Sequence, residues 1–269
     1  MHFTKMHGLG NDYLYVYGEA PSDVANLSIR LSDRHFGAGS DGMVFITPAT
    51  SPVADFTMRI FNADGSEARM CGNGVRCVGK YVYDKGLTDK TSIDIDTLSG
   101  IKHLELQVQE GTACGATVSM GHVAVSEELT VPIEPCGGTS PLICTPVNVG
   151  NPHAVFFVSD AEEVPLAVLG PRIERHESFP GGVNAEFVQV LSSHELRMRV
   201  WERGSGITLA CGTGACASAA AAVSKGYCPK EEPITVQLDG GSLQITVQAN
   251  GEVFMTGPAT TVYEGEVAL

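Results

Sequence analysis

An internal repeat at a fixed offset of 140 residues constrains the fold of this chain more than any other feature. The segments Met58–Gly74 and Met198–Gly214 align without a gap, and both end in a Cys-Gly-x-Gly turn. The register continues forward to a matched Lys-Gly pair at Lys85 and Lys225, and backward to a matched Gly-Asn pair. A register kept over more than seventy residues predicts two structurally similar halves, each placing a cysteine at the start of a helix.

The composition fits two domains and excludes some partners. The chain has 269 residues, 43% of them hydrophobic, which suffices for two cores of ordinary size. A net charge of −14 argues against nucleic acid or an anionic membrane surface as a partner. No apolar run approaches the roughly 18 residues that span a membrane, and residues 1–10 do not resemble a secretory signal. We therefore expect a cytoplasmic protein with reduced thiols.

The eight cysteines fall into two groups. Cys71 and Cys211 stand in a Cys-Gly-[Asn/Thr]-Gly turn at the repeat offset, which makes them the functional candidates. The other six are expected to be small buried side chains: Cys77, Cys114, Cys136, Cys144, Cys216 and Cys228. Because the chain has no Cys-x-x-Cys pair and no suitable histidine spacing, we expect no metal site.

Helical periodicity is confined to four segments. Val75–Lys85 has apolar residues at helical spacing, and Gly86 stands where a glycine would end that helix. Ala215–Lys225 is rich in alanine and almost wholly apolar, so we expect it to be buried on all sides. Ala25–Phe36 and Ala161–Leu169 are shorter candidates.

Strands account for most of the remaining chain. The predicted strands include Tyr13–Tyr17, Met43–Thr47, Phe56–Phe61, Ser92–Asp96, His103–Val108, Ala116–Val123, Thr145–Val149, Ala154–Val158, Glu186–Leu191, Glu195–Trp201, Ile234–Leu238, Leu243–Ala249, Val253–Thr256 and Thr260–Tyr263. The segment Glu127–Pro146 is rich in Pro, Gly and Thr, and we expect the domain boundary near the strand that precedes it. The predicted class is α+β, with two pseudo-symmetric domains that each wrap a curved, mostly antiparallel sheet around a central helix. We expect the domains to comprise 1–115 plus 257–269, and 116–256.

A cysteine at the start of a helix combines two chemical properties. The first turn has N–H groups without intrahelical partners and the positive end of the helix dipole, and both lower the pKa of a thiol placed there. The same N–H groups bind anions, and flanking glycines let a ligand approach the backbone closely. One helix start can therefore hold a carboxylate beside a cysteine.

Two such helix starts facing each other would suit proton transfer. One sulfur would remove the proton from the carbon next to the carboxylate, and the other would return a proton to the opposite face. Backbone N–H groups would stabilise the carbanion, without a metal or a Schiff-base lysine. A nucleophilic or redox cysteine pair, and a binding scaffold for amino acids without catalysis, are the alternatives.

Several motifs resemble those of diaminopimelate epimerase, and the match runs nearly from end to end. They are Met6–Asp12, Asn62–Ser66, Met70–Cys77, Asn151–His153 and Trp201–Gly204 with Ala210–Gly214. The related proline racemases and hydroxyproline epimerases usually have a histidine where this chain has Asn73. The phenazine-biosynthesis relatives lack the cysteine pair, so both groups are weaker fits.

The resemblance implies a reaction and an architecture. The reaction is a cofactor-independent proton transfer that interconverts LL- and meso-2,6-diaminoheptanedioate, a step toward lysine and peptidoglycan precursors. The architecture is two similar α/β halves with the site in the cleft, in a protein that is often a homodimer. A racemase for another amino acid would share this mechanism and is the alternative within the same class.

The resemblance also implies a role for each matched residue. Cys71 and Cys211 would be the acid/base pair. The reacting carboxylate would be held by Gly72, Asn73, Gly212 and Thr213. The remaining amino and carboxylate groups would be held by Asn11, Asn62, Asn151, Asn184, Glu202 and Arg203, with His153 flanking the reacting end. Asparagine amides can donate or accept, and an arginine can hold a carboxylate bidentately. Two departures from the family pattern are Gly42, where some members have Gln, and Ile207, where members usually have Glu.

Overall fold

The computed structural model describes residues 1–133 and 141–268, and the chain divides into two compact units. Unit 1 contains Met1–Ser119 together with the described residues from Thr256 onward. Unit 2 is the described part of Met120–Met255. Cys136, predicted to be buried, lies outside the described residues.

Unit 1 consists of strands with two helices. Its elements are β1 (His2–Gly8), β2 (Asn11–Tyr17), α1 (Val24–Ser32), β3 (Gly42–Pro48), β4 (Phe56–Asn62), β5 (Glu67–Ala68), α2 (Gly72–Asp84), β6 (Ser92–Asp96), β7 (Lys102–Gln109), most of β8 (Thr112–His122) and, at the end of the chain, β19 (Thr260–Glu266). Its first core cluster packs Leu27 and Leu31 of α1 against Phe45 and Phe61 of the sheet.

Unit 2 repeats this plan. Its elements are β9 (Ala124–Val125), β10 (Leu129–Val131), β11 (Leu142–Asn148), β12 (Pro152–Phe157), α3 (Leu166–Glu174), β13 (Asn184–Ser192), β14 (Glu195–Glu202), β15 (Gly206–Ile207), α4 (Gly212–Ser224), β16 (Pro233–Leu238), β17 (Gly241–Val247) and the first part of β18 (Glu252–Pro258). Phe156 and Phe187 stack in the core beneath α3, with ring centroids 5.2 Å apart. The predicted α+β class is confirmed.

The strand pairings follow the same order in both units. In unit 1 the pairs β1–β2, β3–β4 and β6–β7 are antiparallel, whereas β2–β3 and β4–β6 are parallel. In unit 2 the pairs β11–β12, β13–β14 and β16–β17 are antiparallel, whereas β12–β13 and β14–β16 are parallel. The repeat seen in the sequence is therefore a repeat of strand order and direction.

Each unit packs its sheet around the helix that follows its candidate cysteine. Helix α4 contacts β11, β12, β13, β14, β16 and β17, and all its residues except Thr213 and Ser224 are buried. Alanine suits this position because it favours helix and lets strands approach closely. Helix α2 packs against β1, β2 and β7. It ends as predicted, with Gly86 at φ +66°.

Two helices differ from their predicted bounds. The helix predicted at Ala161–Leu169 is wrong in position, because α3 starts at Leu166. Pro165 immediately precedes it, and a proline disfavours helical geometry at the residue before it. Helix α1 ends at Ser32 rather than Phe36, because the Asp33 carboxylate accepts hydrogen bonds from the next N–H groups of the chain and forms a turn.

The described part of Glu127–Pro146 contains β10 and the start of β11. One further prediction needs correction. Cys114 is exposed rather than buried, because β8 alternates its faces there and directs Cys114 outward between buried Ala113 and Gly115. The expected burial of Cys77, Cys144, Cys216 and Cys228 is confirmed. Within the described ranges, no helix combines the length and apolar character needed to cross a membrane.

Gly42 is expected to be essential for the stability of unit 1. Its φ is +155°, and a Cβ added there would lie 2.1 Å from the Phe61 carbonyl oxygen. Gly86 also has a positive φ, but a Cβ there meets nothing within 4 Å. We expect Gly42→Ala to lower the free energy of unfolding by about 3 kcal/mol, and Gly86→Ala by about 1 kcal/mol. Urea denaturation measures both, and equal losses would contradict the expected role of the Phe61 contact.

Candidate active site

Both candidate cysteines cap the helix that follows them. Cys71 and Cys211 have extended backbones, with φ of −136° and −119°, and occupy the N-cap positions of α2 and α4. The Cys71 sulfur accepts a hydrogen bond from the Gly74 N–H at 3.3 Å, and the Cys211 sulfur accepts one from the Gly214 N–H at 3.4 Å. Each thiol thus takes the place of the usual serine or aspartate cap.

A glycine stands next to the sulfur at the third position of each helix. A Cβ on Gly74 would lie 3.5 Å from the Cys71 sulfur, and one on Gly214 would lie 3.2 Å from the Cys211 sulfur. On Gly214 it would also come within 2.9 Å of Glu186 Oε1. The last glycine of the Cys-Gly-x-Gly turn therefore brings the backbone close to the thiol. In unit 2 the same glycine also lies close to the Glu186 carboxylate.

The Cys71 site contains Asn11 with a fixed amide orientation. The Cys71 thiol donates to Asn11 Oδ1 at 3.2 Å. Asn11 Nδ2 donates to Asp41 Oδ2 at 2.9 Å, and the same carboxylate oxygen accepts from the Asp12 N–H. Because Asp41 engages the NH₂ group, the oxygen of the Asn11 amide faces the sulfur.

Asn73 is held by a buried arginine. Asn73 Oδ1 accepts from Arg76 Nη2 at 3.0 Å, and Arg76 is fully buried. Arg76 also donates to the carbonyl oxygens of Gly72 and Pro258. The arginine therefore fixes both residues that follow Cys71.

Tyr13 and Asn62 complete the surroundings of the Cys71 site. Burial raises the pKa of Tyr13 well above its ordinary value, and the neighbouring Cys71 adds to the rise. A Cβ on Gly42 would lie 2.9 Å from both the Tyr13 ring and Asn62 Cα, so these three residues are in contact. The Asn62 amide donates to Ser66 Oγ at 3.0 Å within its own turn. A glutamine at position 42 would displace this packing.

The Cys211 site is a continuous polar chain. Thr213 Oγ1 lies 3.6 Å from the Cys211 sulfur and accepts from Asn151 Nδ2 at 3.4 Å. Asn151 Oδ1 lies 3.0 Å from His153 Nε2, and His153 Nδ1 lies 2.7 Å from Glu186 Oε1. The structure thus brings three predicted residues together beside Cys211.

Glu202 lies near Cys211, and the next residue, Arg203, is hydrogen-bonded to Asn184. Glu202 accepts a hydrogen bond from Thr208 Oγ1, and burial raises the pKa of Glu202. Asn184 Oδ1 accepts from the Arg203 N–H at 2.8 Å, and Arg203 Nη1 donates to the Gly181 carbonyl oxygen at 3.0 Å. The Arg203 side chain is exposed, so its remaining N–H donors can reach a ligand.

The prediction of a lowered thiol pKa is wrong for Cys211. Burial raises the pKa of Cys211 well above its ordinary value, and the nearby carboxylates Glu202 and Glu186 raise it further. Hydrogen bonds from Thr213 and the Gly214 N–H act in the opposite direction but are outweighed. The helix start is therefore not enough to ionise this thiol.

Sequence reasoning missed three residues that hold the sites: Asp41, Arg76 and Glu186. Asp41 lies in the glycine-rich loop before β3, and Arg76 is a buried charge on α2. Glu186 offered the clearest signal, since it is a charge within the buried start of β13, Asn184–Val188. An acidic residue at such a position needs a partner.

The fold of this chain is shared with proteins of known structure. A probable proline racemase from Agrobacterium radiobacter K84 shares the fold, with a TM-score of 0.74, 17% identity, and coverage of 100% of this chain and 93% of that one. The family model described as Diaminopimelate epimerase matches residues 3–125 and 145–262. The chain belongs to the diaminopimelate epimerase family.

Two relatives that carry the family name are half identical to this chain. The diaminopimelate epimerase of Acetivibrio thermocellus is 50% identical over 283 residues, covering 100% of this chain and 99% of the relative. That of Methanococcus maripaludis is 50% identical over 285 residues, covering 99% of each. The likeness therefore extends over both units.

The raised pKa of Cys211 gives a direct test of this site. We expect the pH midpoint for its reaction with a small thiol reagent to exceed that of a free thiol in the same buffer, since the acid form persists to higher pH. Glu202→Gln removes one carboxylate and should move the midpoint to lower pH. Glu195 lies on the same strand and accepts a hydrogen bond from Gln237. Glu195→Gln should therefore leave the midpoint unchanged. Peptide mass spectrometry follows the reaction, and a wild-type midpoint at or below that of the free thiol would contradict the assignment.

Proposed function

We propose that this protein is a cofactor-independent epimerase that interconverts LL- and meso-2,6-diaminoheptanedioate in lysine and peptidoglycan precursor biosynthesis. The observation that carries the proposal is the pair of thiols, one in each unit, each capping a helix in the same geometry. Membership in the diaminopimelate epimerase family supports the choice of substrate.

In the proposed mechanism, Cys71 and Cys211 act on opposite faces of one α-carbon. The thiolate form of one cysteine removes the α-proton, and the electron pair of the C–H bond passes into the carboxylate. The thiol of the other cysteine then gives its proton to the opposite face, so the configuration inverts and the two sulfurs exchange protonation states. The reverse reaction uses the same groups with their roles exchanged.

The start of each helix would stabilise the intermediate. Gly72 and Asn73 in α2, and Gly212 and Thr213 in α4, stand where backbone N–H donors and the helix dipole favour an anion. Negative charge moves onto the carboxylate oxygens as the α-proton leaves, so donors that hold these oxygens act most strongly in the transition state.

The other polar residues would recognise the rest of the substrate. We assign amino and carboxylate recognition to Asn11, Asn62, Asn151, Asn184, Glu202 and Arg203, with His153 in support. Glu202 has a second effect in this scheme. A substrate ammonium group beside Glu202 would offset its negative charge and so lower the pKa of Cys211 when the substrate binds.

We extend the proposal to the setting of the protein. It would act in the cytoplasm as a homodimer, without a cofactor or a metal. It would not bind nucleic acid, which the net charge of −14 supports. The catalytic halves would correspond to residues 1–115 plus 257–269, and 116–256.

Loss of either thiol should abolish inversion. We expect Cys71→Ala and Cys211→Ala each to lower the rate of conversion of LL-diaminopimelate to the meso isomer by at least about 10³-fold, because each removes one proton carrier. Cys114→Ala removes an exposed thiol outside the proposed site and should keep the wild-type rate. Proton NMR of the product follows the reaction. Inversion by either single mutant at the wild-type rate would contradict the two-thiol mechanism.

Arg203→Lys should weaken substrate binding more than turnover. Lysine keeps the charge but cannot hold a carboxylate with two parallel N–H donors, so we expect KM to rise about tenfold with a smaller change in kcat. Arg197→Lys alters an arginine that pairs with Glu162 and Asp239 elsewhere in unit 2 and serves as the control. An unchanged KM in Arg203→Lys would remove Arg203 from the binding site.

A further inference from the structure

Glu186 is a fully buried carboxylate with only one of its oxygens satisfied. Its Oε1 lies 2.7 Å from His153 Nδ1, and both side chains have zero exposure to solvent. Its Oε2 has no hydrogen-bond partner among the described residues. Burial of a carboxylate is unfavourable unless it is paired, so such a residue requires an explanation beyond packing.

The position of Glu186 connects it to Cys211. His153 lies between Glu186 and the Asn151 amide, and the Asn151 amide reaches the Thr213 hydroxyl. The hydroxyl lies beside the sulfur. Glu186 is therefore the buried end of a chain of polar contacts whose other end is a candidate catalytic thiol.

The internal repeat provides a reference for the same position without a carboxylate. Glu186 lies opposite Val155 on one neighbouring strand and Val200 on the other. In unit 1, Val44 lies opposite Tyr15 and Ile60 in the corresponding pairings, and Val44 is fully buried. The same sheet position is thus filled by an apolar side chain in unit 1, so the strand arrangement does not itself require a charge there.

The partner of Glu186 differs between the units in the same way. His153 corresponds to Tyr13 at the repeat offset, so unit 2 has an imidazole and a carboxylate where unit 1 has a phenol and a valine. Tyr13 and His153 both lie beside the asparagine of their own site. Only in unit 2 is the ring anchored by a buried acid.

We propose that Glu186 is a positioning residue for the reaction: through His153 it fixes the Asn151 amide and the Thr213 hydroxyl beside Cys211. This inference rests on the proposed function for its catalytic consequence. The contact between Glu186 and His153, which we call the anchor, is present without a ligand and does not depend on the proposed function.

The charge of Glu186 has a second consequence for Cys211. The ionisable groups around this cluster are Glu202 on β14, Cys144 on β11, His153 on β12 and Cys211 at the start of α4. Burial raises the pKa of Cys144 to about 12, and the charges of Glu128 and Glu186 contribute. Glu186 raises the pKa of Cys211 in the same sense, so it favours the thiol over the thiolate.

Two substitutions separate the anchoring from the charge. Glu186→Val introduces the residue of the corresponding position in unit 1 and removes both the anchor and the charge. We expect it to remain folded and to lose about 100-fold in kcat, because misplacement of a catalytic group by about 1 Å has an effect of that size. Glu186→Gln keeps a hydrogen-bonding oxygen for His153 and removes only the charge. We expect it to lose about tenfold in kcat, and to shift the pH midpoint of Cys211 alkylation to lower values.

Controls separate a positioning role of Glu186 from a role in stability alone. Thermal melting of each variant, with Glu195→Gln for comparison, measures any general loss of stability. A folded Glu186→Val enzyme with wild-type kcat would overturn the proposal, whereas a Glu186→Gln midpoint equal to that of the wild type would contradict the effect of the Glu186 charge on Cys211. If Glu186→Val does not fold, Glu186→Ala, which also removes the anchor, decides by its kcat in the same way. If the wild type does not act on diaminopimelate, the proposed function fails, while the alkylation midpoint still tests the link between Glu186 and Cys211.

Discussion

The hydrogen bond from the third N–H of a helix to the thiol that precedes it is the contact on which both candidate sites depend. It fixes Cys71 against Gly74 and Cys211 against Gly214, and it sets each sulfur beside the backbone donors of the first helical turn. Glycine at the third position of α4 is part of this contact, because a Cβ on Gly214 would crowd the Cys211 sulfur and the Glu186 carboxylate. The surrounding strands are paired in the same order in both units, so each unit presents its thiol in an equivalent frame.

The two frames are equivalent, but their polar surroundings are not. In unit 1 the thiol donates to an asparagine whose amide is oriented by Asp41. In unit 2 the thiol is more deeply buried, and its pKa is raised by burial and by two carboxylates. A duplicated fold thus contains two different proton environments. A reaction that takes a proton on one face and gives one on the other needs two groups that can hold different protonation states.

The sequence was sufficient to predict the repeat, the fold class and most strands, because these follow from periodicity and from matched turns. It placed the start of α3 at Ala161, which is too early, because the effect of Pro165 on the preceding residues outweighs the apolar spacing. It also predicted a lowered pKa at both cysteines from the helix dipole alone. The rise of the Cys211 pKa comes first from burial and then from the charges of Glu202 and Glu186, which the folded chain places near the thiol. Long-range charge and burial of this kind are absent from local patterns.

The most direct test of the two-thiol account is the distribution of deuterium at low conversion in D₂O. LL-diaminopimelate would be incubated with reduced enzyme and stopped after a small fraction has reacted, and both isomers would be analysed by mass spectrometry. Two separate bases place a solvent deuteron in the product, while the unreacted substrate keeps its α-proton. The account therefore predicts deuterium at one α-carbon of the meso product and almost none in the recovered LL isomer. Equal deuterium in product and recovered substrate would indicate a single exchanging base and would contradict the account.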